Sequence, residues 1–271
     1  TAGSYTITYT ATDAAGNVGT ATRTVNVVDT IAPTFASFTT PTATGSYDAA
    51  EEIDIIATTS EAIQSGNTIV VTLDTGEIII LTADSAGTTL VGTYTVGAGD
   101  TSAGLEVTSF TIGTVADTAG TAMTSTTLPA ASSIFGTKTI IIDTTAPTFV
   151  SVAATDGTYI VGDNIDITVT YNEVLFVTDT PTLTLDNEAT AEYTSGTGTT
   201  ALVFSYTVEE AQTDSADLSV SSYSGVITDV AGNTAGAASG DLGAVIVDAN
   251  SPDFVSVAAT DGTYIVGDNI D

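Results

Sequence analysis

An internal repeat is the sequence feature that most restricts how this chain can fold. The segment FVSVAATDGTYIVGDNID occupies residues 149–166 and recurs letter for letter at 254–271, and a looser copy occupies 35–54. Each copy follows a similar junction, and the junction prolines Pro33, Pro147 and Pro252 are 114 and then 105 residues apart. A period of this length corresponds to one small domain, so the chain is predicted to be an array of similar domains.

The repeat predicts four segments. Residues 30–143 and 144–248 each form a complete unit, residues 1–29 supply the C-terminal strands of a partial unit, and residues 249–271 supply the N-terminal strand of a further one. Neither end segment has enough strands to bury an apolar face alone. We therefore expect the chain to be a segment of a longer repetitive polypeptide.

The pattern of apolar residues predicts strands rather than helices. Threonine, valine and isoleucine dominate the sequence, and β-branched side chains favour the pleated backbone. No segment sustains a helical period, whereas ten segments alternate apolar and polar residues between turn residues. These segments are residues 4–11, 21–29, 52–59, 67–74, 77–83, 89–96, 164–171, 182–186, 201–208 and 243–248. The predicted fold class is all-β, with antiparallel sandwiches.

The charge balance excludes several classes of function. The chain has 33 acidic residues but only Arg23 and Lys138 as basic ones, for a formal net charge of −31, and it has no histidine or cysteine. It therefore cannot form the basic surface that nucleic acids require, a Ser-His-Asp or Cys-His catalytic centre, a zinc site of the usual type, or a disulfide. No run approaches the ~20 consecutive apolar residues of a membrane span, so no direct membrane insertion is expected.

Oxygen ligands are what this composition offers to a partner. Carboxylates, amides and carbonyls bind hard divalent cations, and calcium is the first cation to consider. The alternative is an acidic surface of the halophilic or marine kind, which holds only water and counterions. Composition does not decide between the two.

Four motifs carry a family resemblance. They are the junction D-T-x-A-P, the segment G-x-Y-x-x-G-D-x-I-D-I, a glutamate that closes the next strand, and the turn D-x-A-G-N at 13–17 and 229–233. Together they resemble bacterial immunoglobulin-like (cadherin-like) tandem repeats of large calcium-binding surface adhesins and surface-layer proteins. The resemblance implies tandem seven-stranded immunoglobulin-like sandwiches, an extracellular cell-surface location, calcium at the joints, and neighbouring repeats or copies of the same protein as partners.

The order of strands in such a sandwich predicts where the acids meet. The B–C and F–G loops lie at the pole that receives the incoming linker. Glu173 is placed on the B–C loop, Asp229 begins the F–G turn, and Asp143 ends the previous domain, so all three are expected to converge on one joint. Asp29, Glu61 and Asp117 repeat the set at the preceding joint.

Further residues are predicted to contribute to the same joints. Asn233 offers an amide oxygen, and the middle unit has Thr121 in its place, so the Asp29 joint is expected to bind calcium more weakly than the Asp143 joint. The remaining predicted metal ligands come from the opposite poles of the units: Glu51, Glu52, Asp100, Asp163 and Asp248.

Other interpretations remain open at this point. Each aspartate has the simpler explanation of a turn residue, because Asp side chains bond their own backbone. The tripeptide Asp74-Thr75-Gly76 matches aspartic proteases, but it is unpaired and its flanks predict a hairpin turn, so no enzyme activity is expected. The main alternative function is a carbohydrate- or protein-binding adhesive module with a host or surface ligand. The chain has no tryptophan for a sugar site, and Tyr5, Tyr9, Tyr94, Tyr171 and Tyr206 are expected to pack in cores.

Overall fold

The chain is built almost entirely of β-strands, as predicted, in a computed structural model that describes residues 3–136, 138–252, 254–258 and 261–269. The short 3₁₀ helix η1 spans Ala131–Ser133. The strands are β1 (Gly3–Thr12), β2 (Val18–Val27), β3 (Phe35–Thr39), β4 (Gly45–Tyr47), β5 (Glu52–Ile63), β6 (Thr68–Leu73), β7 (Ile78–Thr82), β8 (Gly87–Thr95), β9 (Thr101–Ser102), β10 (Val107–Thr114), β11 (Ile140–Asp143), β12 (Phe149–Ala153), β13 (Gly157–Ile160), β14 (Asn164–Val177), β15 (Thr182–Leu185), β16 (Thr190–Ser195), β17 (Thr199–Thr207), β18 (Ser219–Ser224), β19 (Ile227–Thr228), β20 (Gly240–Asp241) and β21 (Val245–Asp248).

The first of two structural units extends up to Thr145 and also includes Val230–Asn233. Its larger sheet has the strand order β10-β6-β7-β8-β5-β3, and its smaller sheet has the order β4-β11-β9. The last strand, β11, runs parallel to β4 and antiparallel to β9. The four segments predicted from the repeat remain a prediction.

Alternating residues build the core of this unit. In β5 the side chains of Ile53, Ile55 and Ala57 point to the same face, and each is fully buried. Strand β6 repeats the pattern with Ile69 and Val71. Each buried isoleucine or valine contributes roughly 1.5–3 kcal/mol relative to an exposed one, so the two-residue period determines which face of the sheet is covered.

The second unit contains Ala146–Asp229 and the residues from Thr234 onward. Its main sheet has the order β12-β14-β17-β16-β15-β18-β20, and β19 pairs with the end of β14. Strand β13 pairs in parallel with the last strand, β21, as β4 does with β11 in the first unit. In both units, therefore, the last strand pairs in parallel with a short strand that lies near the start of the unit.

The N-terminal strands form an exposed ribbon. Strands β1 and β2 pair antiparallel from Gly3↔Val27 to Thr12↔Val18. Tyr5 and Tyr9 are 46% and 53% exposed, so the expectation that they pack in a core is wrong. Two strands are one layer only, and a core needs a second. The other three tyrosines of that prediction are buried: Tyr94, Tyr171 and Tyr206.

The two identical copies of the repeat differ in secondary structure over the residues that the structure describes. Residues 149–153 and 157–160 form β12 and β13, which pair with β14 and β21. The described parts of the second copy, 254–258 and 261–269, contain no strand, and Phe254 and Val255 are exposed. The rest of that copy lies outside the described residues. Strand formation by this segment therefore depends on its pairing partners and not on its local sequence alone.

Gly92 of β8 is a position where a larger residue should destabilise the first unit. A Cβ atom there would lie 2.5 Å from the backbone oxygen of Ile80 and 2.6 Å from a side-chain carbon of Leu81. Gly92→Ala should lower the free energy of unfolding of this unit by about 1–3 kcal/mol, measured by urea denaturation. Gly87→Ala in the same strand is the control, because its Cβ would meet nothing within 4 Å. Equal stability of the two variants would contradict this packing.

Candidate metal centre

Three carboxylates from distant parts of the first unit meet at one place. Asp29, Glu61 and Asp117 each offer a carboxylate oxygen, and these oxygens lie within 4.8 Å of one another. Asp29 follows β2, Glu61 lies within β5, and Asp117 begins the turn that follows β10. The structure thus brings together the three residues that were predicted to share this joint.

The turn at Asp117 commits one of that residue's two carboxylate oxygens. Oδ1 accepts hydrogen bonds from the backbone N–H groups of Ala119 at 2.8 Å and Thr121 at 2.7 Å. The turn is closed by Gly120, whose φ of 96° is accessible to glycine at little cost. The simpler explanation of a turn-forming aspartate is therefore correct for this oxygen.

The second oxygen of Asp117 is the unusual feature. The residue is only 2% exposed, and its Oδ2 is buried without a hydrogen-bond partner among the described residues. Burying a carboxylate oxygen without a hydrogen-bond donor or a cation destabilises the fold, because the oxygen loses its hydrogen bonds to water and no new interaction replaces them. Lys138, the only lysine of the chain, is used elsewhere, since its Nζ donates to the carbonyl oxygens of Thr40 and Thr42 at 2.7 Å each. A cation is therefore the chemically natural partner for this atom.

Glu61 lies within a strand and not on a loop, which corrects the predicted position of this glutamate. The pairing of β5 with β8 shifts between Thr58 and Ile63, and Glu61 falls inside this irregular stretch, half-buried. Partial desolvation raises its pKa, and the neighbouring charges of Asp29 and Asp117 raise the pKa further. The three acids thus repel one another in the absence of a cation.

Asp29 is the exposed member of the set, and the backbone holds it at two points. Its Oδ1 accepts the N–H of Ile31 at 3.0 Å. Its backbone carbonyl accepts the hydroxyl of Thr121 at 2.9 Å. This second bond was not predicted from the sequence, although the fifth position of the repeated turn would have been the place to look.

The second predicted set is divided between the two structural units. Asp143 ends β11 of the first unit; its Oδ1 accepts the N–H of Thr145 at 3.0 Å, and its carbonyl accepts Nδ2 of Asn233 at 2.9 Å. Glu173 and Asp229 belong to the second unit, and their carboxylate oxygens lie within 4.8 Å of each other. Glu173 lies in β14, where pairing with β17 shifts, and not on the predicted loop. The grouping of Asp143 with this pair remains a prediction.

The five other candidate ligands belong to no group of three acids in the described part of the chain. Asp100 accepts the hydroxyl of Tyr94 at 2.6 Å, and Asp163 accepts the N–H of Ile160 at 2.9 Å. Glu51 accepts the N–H of Asp48 at 2.8 Å. Glu52 begins β5 and Asp248 ends β21. The first three have roles in turns, and a ligand role for any of the five remains a prediction.

Asp74 shows how this protein satisfies an aspartate without a metal. It begins the hairpin turn between β6 and β7, as predicted, where the N–H of Leu73 donates to the carbonyl of Glu77. Its Oδ1 accepts the N–H of Glu106 at 2.9 Å, and its Oδ2 accepts the hydroxyl of Ser102 at 2.6 Å. Both oxygens of Asp74 therefore have protein partners, whereas for Asp117 only Oδ1 has one among the described residues.

Comparisons with known proteins support the predicted resemblance. The family described as bacterial surface protein, Ig-like domain, matches residues 1–27, which contain the β1–β2 ribbon, and the resemblance is confirmed for this part of the chain. This is a family of surface domains and not of enzymes. No curated protein matches the chain significantly.

A similar solved structure is surface layer protein SbsC, domains 4–9, at 10% identity and a TM-score of 0.19. The match covers 91% of this chain and 35% of that chain, so this chain spans about a third of that structure. A TM-score this low does not establish a common arrangement. Among the described residues, no helix is both long and apolar enough to cross a membrane.

The raised pKa of Glu61 predicts a pH dependence of the metal-free protein. The folded state binds this proton more tightly than the unfolded chain does, so the contribution to stability is complete below the ordinary pKa of glutamate and is lost as pH rises through the raised value. In chelator, the wild type should lose stability relative to Glu61→Gln as pH rises above the ordinary pKa of glutamate. Urea unfolding at a series of such pH values tests the effect, and parallel curves for the two proteins would contradict it.

Proposed function

We propose that this chain is a structural segment of an extracellular bacterial surface protein made of tandem immunoglobulin-like units, with calcium fixing the linker at Asp29. The observation that supports the proposal most strongly is the buried Oδ2 of Asp117, which lies beside two further carboxylates and lacks a partner within the described residues. The family match at residues 1–27 supports the surface location.

Calcium fits this set of donors better than other common cations do. It takes six to eight oxygen ligands at about 2.3–2.6 Å in flexible geometry, and three carboxylates supply charge and oxygen without nitrogen or sulfur. Magnesium requires near-ideal octahedral geometry and keeps most of its water, so it should bind this set more weakly. Carbonyl groups and water would complete the coordination.

The proposed mechanism is a cross-link between three segments that are distant in sequence. A cation held by Asp29, Glu61 and Asp117 joins the linker, strand β5 and the turn after β10. It also offsets the charge repulsion that, after desolvation, helps to raise the pKa of Glu61. Binding to the folded state alone stabilises it by mass action, about 2.7 kcal/mol at a hundredfold excess of calcium over Kd. Repeated along an array, such joints would produce a stiff stalk, filament or lattice element whose partners are neighbouring repeats or copies.

Thermal unfolding with and without calcium tests the proposed site. Calcium should raise the Tm of the wild type by several degrees relative to chelator, and magnesium should do so less. Asp117→Asn and Glu61→Gln should each remove most of the calcium effect. The asparagine variant keeps an oxygen for the amides of Ala119 and Thr121 while it loses the charge.

Asp13→Asn is the matched control for that experiment. Asp13 begins the same type of turn, and its Oδ1 accepts the N–H groups of Ala15 and Asn17 at 2.9 and 2.8 Å. It lies in the exposed ribbon, and within the described residues it belongs to no group of three acids. Its replacement should leave the calcium effect intact. Identical melts of the wild type in calcium and in chelator would refute the proposal.

Protection of the linker should accompany calcium binding. Residues 28–34 include Asp29, and a cation held there restricts their motion and their access to protease. We expect proteinase K to cleave this stretch several times more slowly in calcium than in chelator, with cleavage sites identified by mass spectrometry. In Glu61→Gln the two rates should be similar. Equal rates for the wild type in both conditions would show that calcium does not stiffen this joint.

A further inference from the structure

We infer that the fifth residue of the D-x-A-G-[N/T] turn is a latch that holds the linker: its side chain donates to the backbone carbonyl of the aspartate at the start of the junction and thereby positions that aspartate. The effect on calcium affinity rests on the proposed function, whereas the effect on the linker does not. Thr121 is the latch residue for Asp29, and Asn233 is the latch residue for Asp143.

The inference is supported by two equivalent hydrogen bonds made by chemically different side chains. The hydroxyl of Thr121 donates to the carbonyl of Asp29 at 2.9 Å, across 92 residues of sequence. The amide Nδ2 of Asn233 donates to the carbonyl of Asp143 at 2.9 Å, across 90 residues. Asp29 and Asp143 occupy the same position of the repeated junction, so the contact recurs although the donor group differs.

The latch acts together with a second bond inside the junction. Oδ1 of Asp29 accepts the N–H of Ile31 at 3.0 Å, and Oδ1 of Asp143 accepts the N–H of Thr145 at 3.0 Å. In both junctions the carbonyl is therefore held from the turn and one carboxylate oxygen is held from two residues downstream. An exposed aspartate held at these two points presents its carboxylate in a defined direction, and this lowers the entropy lost when a cation binds.

The turn at residues 13–17 also ends in an asparagine, Asn17. In the exposed ribbon, Nδ2 of Asn17 donates to Oδ2 of Asp13 at 2.8 Å. In that turn the amide therefore bonds its own aspartate. The hydroxyl of Thr121 instead donates to the carbonyl of Asp29, and among the described residues Oδ2 of Asp117 has no protein partner. The inference thus differs from the expectation that Thr121 weakens the Asp29 joint by removing an amide oxygen, and that expectation stays a prediction. What the position needs is a donor, and threonine supplies one.

Substitutions at Thr121 separate the latch from a general packing role. Thr121→Val keeps the shape and removes the donor, while Thr121→Ser and Thr121→Asn keep a donor. Thr118→Val is the matched control, because Thr118 is an exposed threonine of the same turn. Thr121→Ala is a second donor-free variant, so that the inference does not rest on the folding of the valine protein alone.

The first readout needs no calcium. In chelator, hydrogen exchange at the Ile31 amide should be about 3–10 times faster in Thr121→Val and Thr121→Ala than in the wild type, the factor expected for the loss of one hydrogen bond. Thr121→Ser, Thr121→Asn and Thr118→Val should exchange at the wild-type rate. Unchanged exchange in both donor-free variants would overturn the inference.

The second readout is the calcium affinity of the Asp29 site, measured by titration calorimetry in a Glu173→Gln background so that the other acidic set does not contribute. Thr121→Val should raise Kd about 3–10-fold, and Thr121→Asn should stay within about threefold of the wild type. A tenfold gain in affinity for Thr121→Asn would show that an amide oxygen is a ligand and would overturn the inference. If the Glu173→Gln protein with Thr121 intact did not bind calcium, the proposed function would be refuted. The hydrogen-exchange experiment would still decide whether Thr121 acts as a latch.

Discussion

Burial removes both oxygens of a carboxylate from water, so each oxygen then needs a hydrogen-bond donor or a cation. At the joint near Asp29, one buried carboxylate has a protein partner for only one of its two oxygens among the described residues. Asp117 is buried, and its turn satisfies Oδ1 with two backbone amides. Oδ2 has no protein partner in the part of the chain that the structure describes, although both oxygens of Asp74 have one, an amide and a hydroxyl. In a chain with a net charge of −31, whose one lysine bonds carbonyl groups elsewhere, the proposed cation from solution would neutralise Asp117 and its two acidic neighbours.

The geometry of this joint follows from how the strands are paired. Strand β5 leaves its regular pairing with β8 after Thr58, and Glu61 falls in the irregular stretch, where it meets the turn that follows β10. The linker passes the same point, since the N–H of Ser60 donates to the carbonyl of Thr34 and the hydroxyl of Thr121 donates to the carbonyl of Asp29. Direct hydrogen bonds thus dock the linker, and the proposed cation would add charge neutralisation to a contact that already has a defined shape.

Much of this arrangement could be predicted from the sequence because it depends on local periodicity and on a repeated motif. The ten alternating segments all contain strands, since a two-residue period can cover only one face of a sheet. Strand order in a sandwich was enough to bring Asp29, Glu61 and Asp117 together. The register shift that places Glu61 within a strand was not predicted, because it arises from the pairing of β5 with β8 and not from the residues of β5 alone. The identical segments at 149–166 and 254–271 make the same point, since the first forms strands beside β14 and β21 and the described residues of the second form none.

A crystal structure of the protein grown in millimolar calcium is the most direct test of the claim that Asp117 is a cation ligand. The account predicts ordered density with oxygen-only coordination at about 2.3–2.6 Å from carboxylate oxygens of Asp29, Glu61 and Asp117, with Oδ2 of Asp117 among the ligands. Density that is absent there in calcium, with Oδ2 of Asp117 bonded instead to a protein donor or to water, would contradict it.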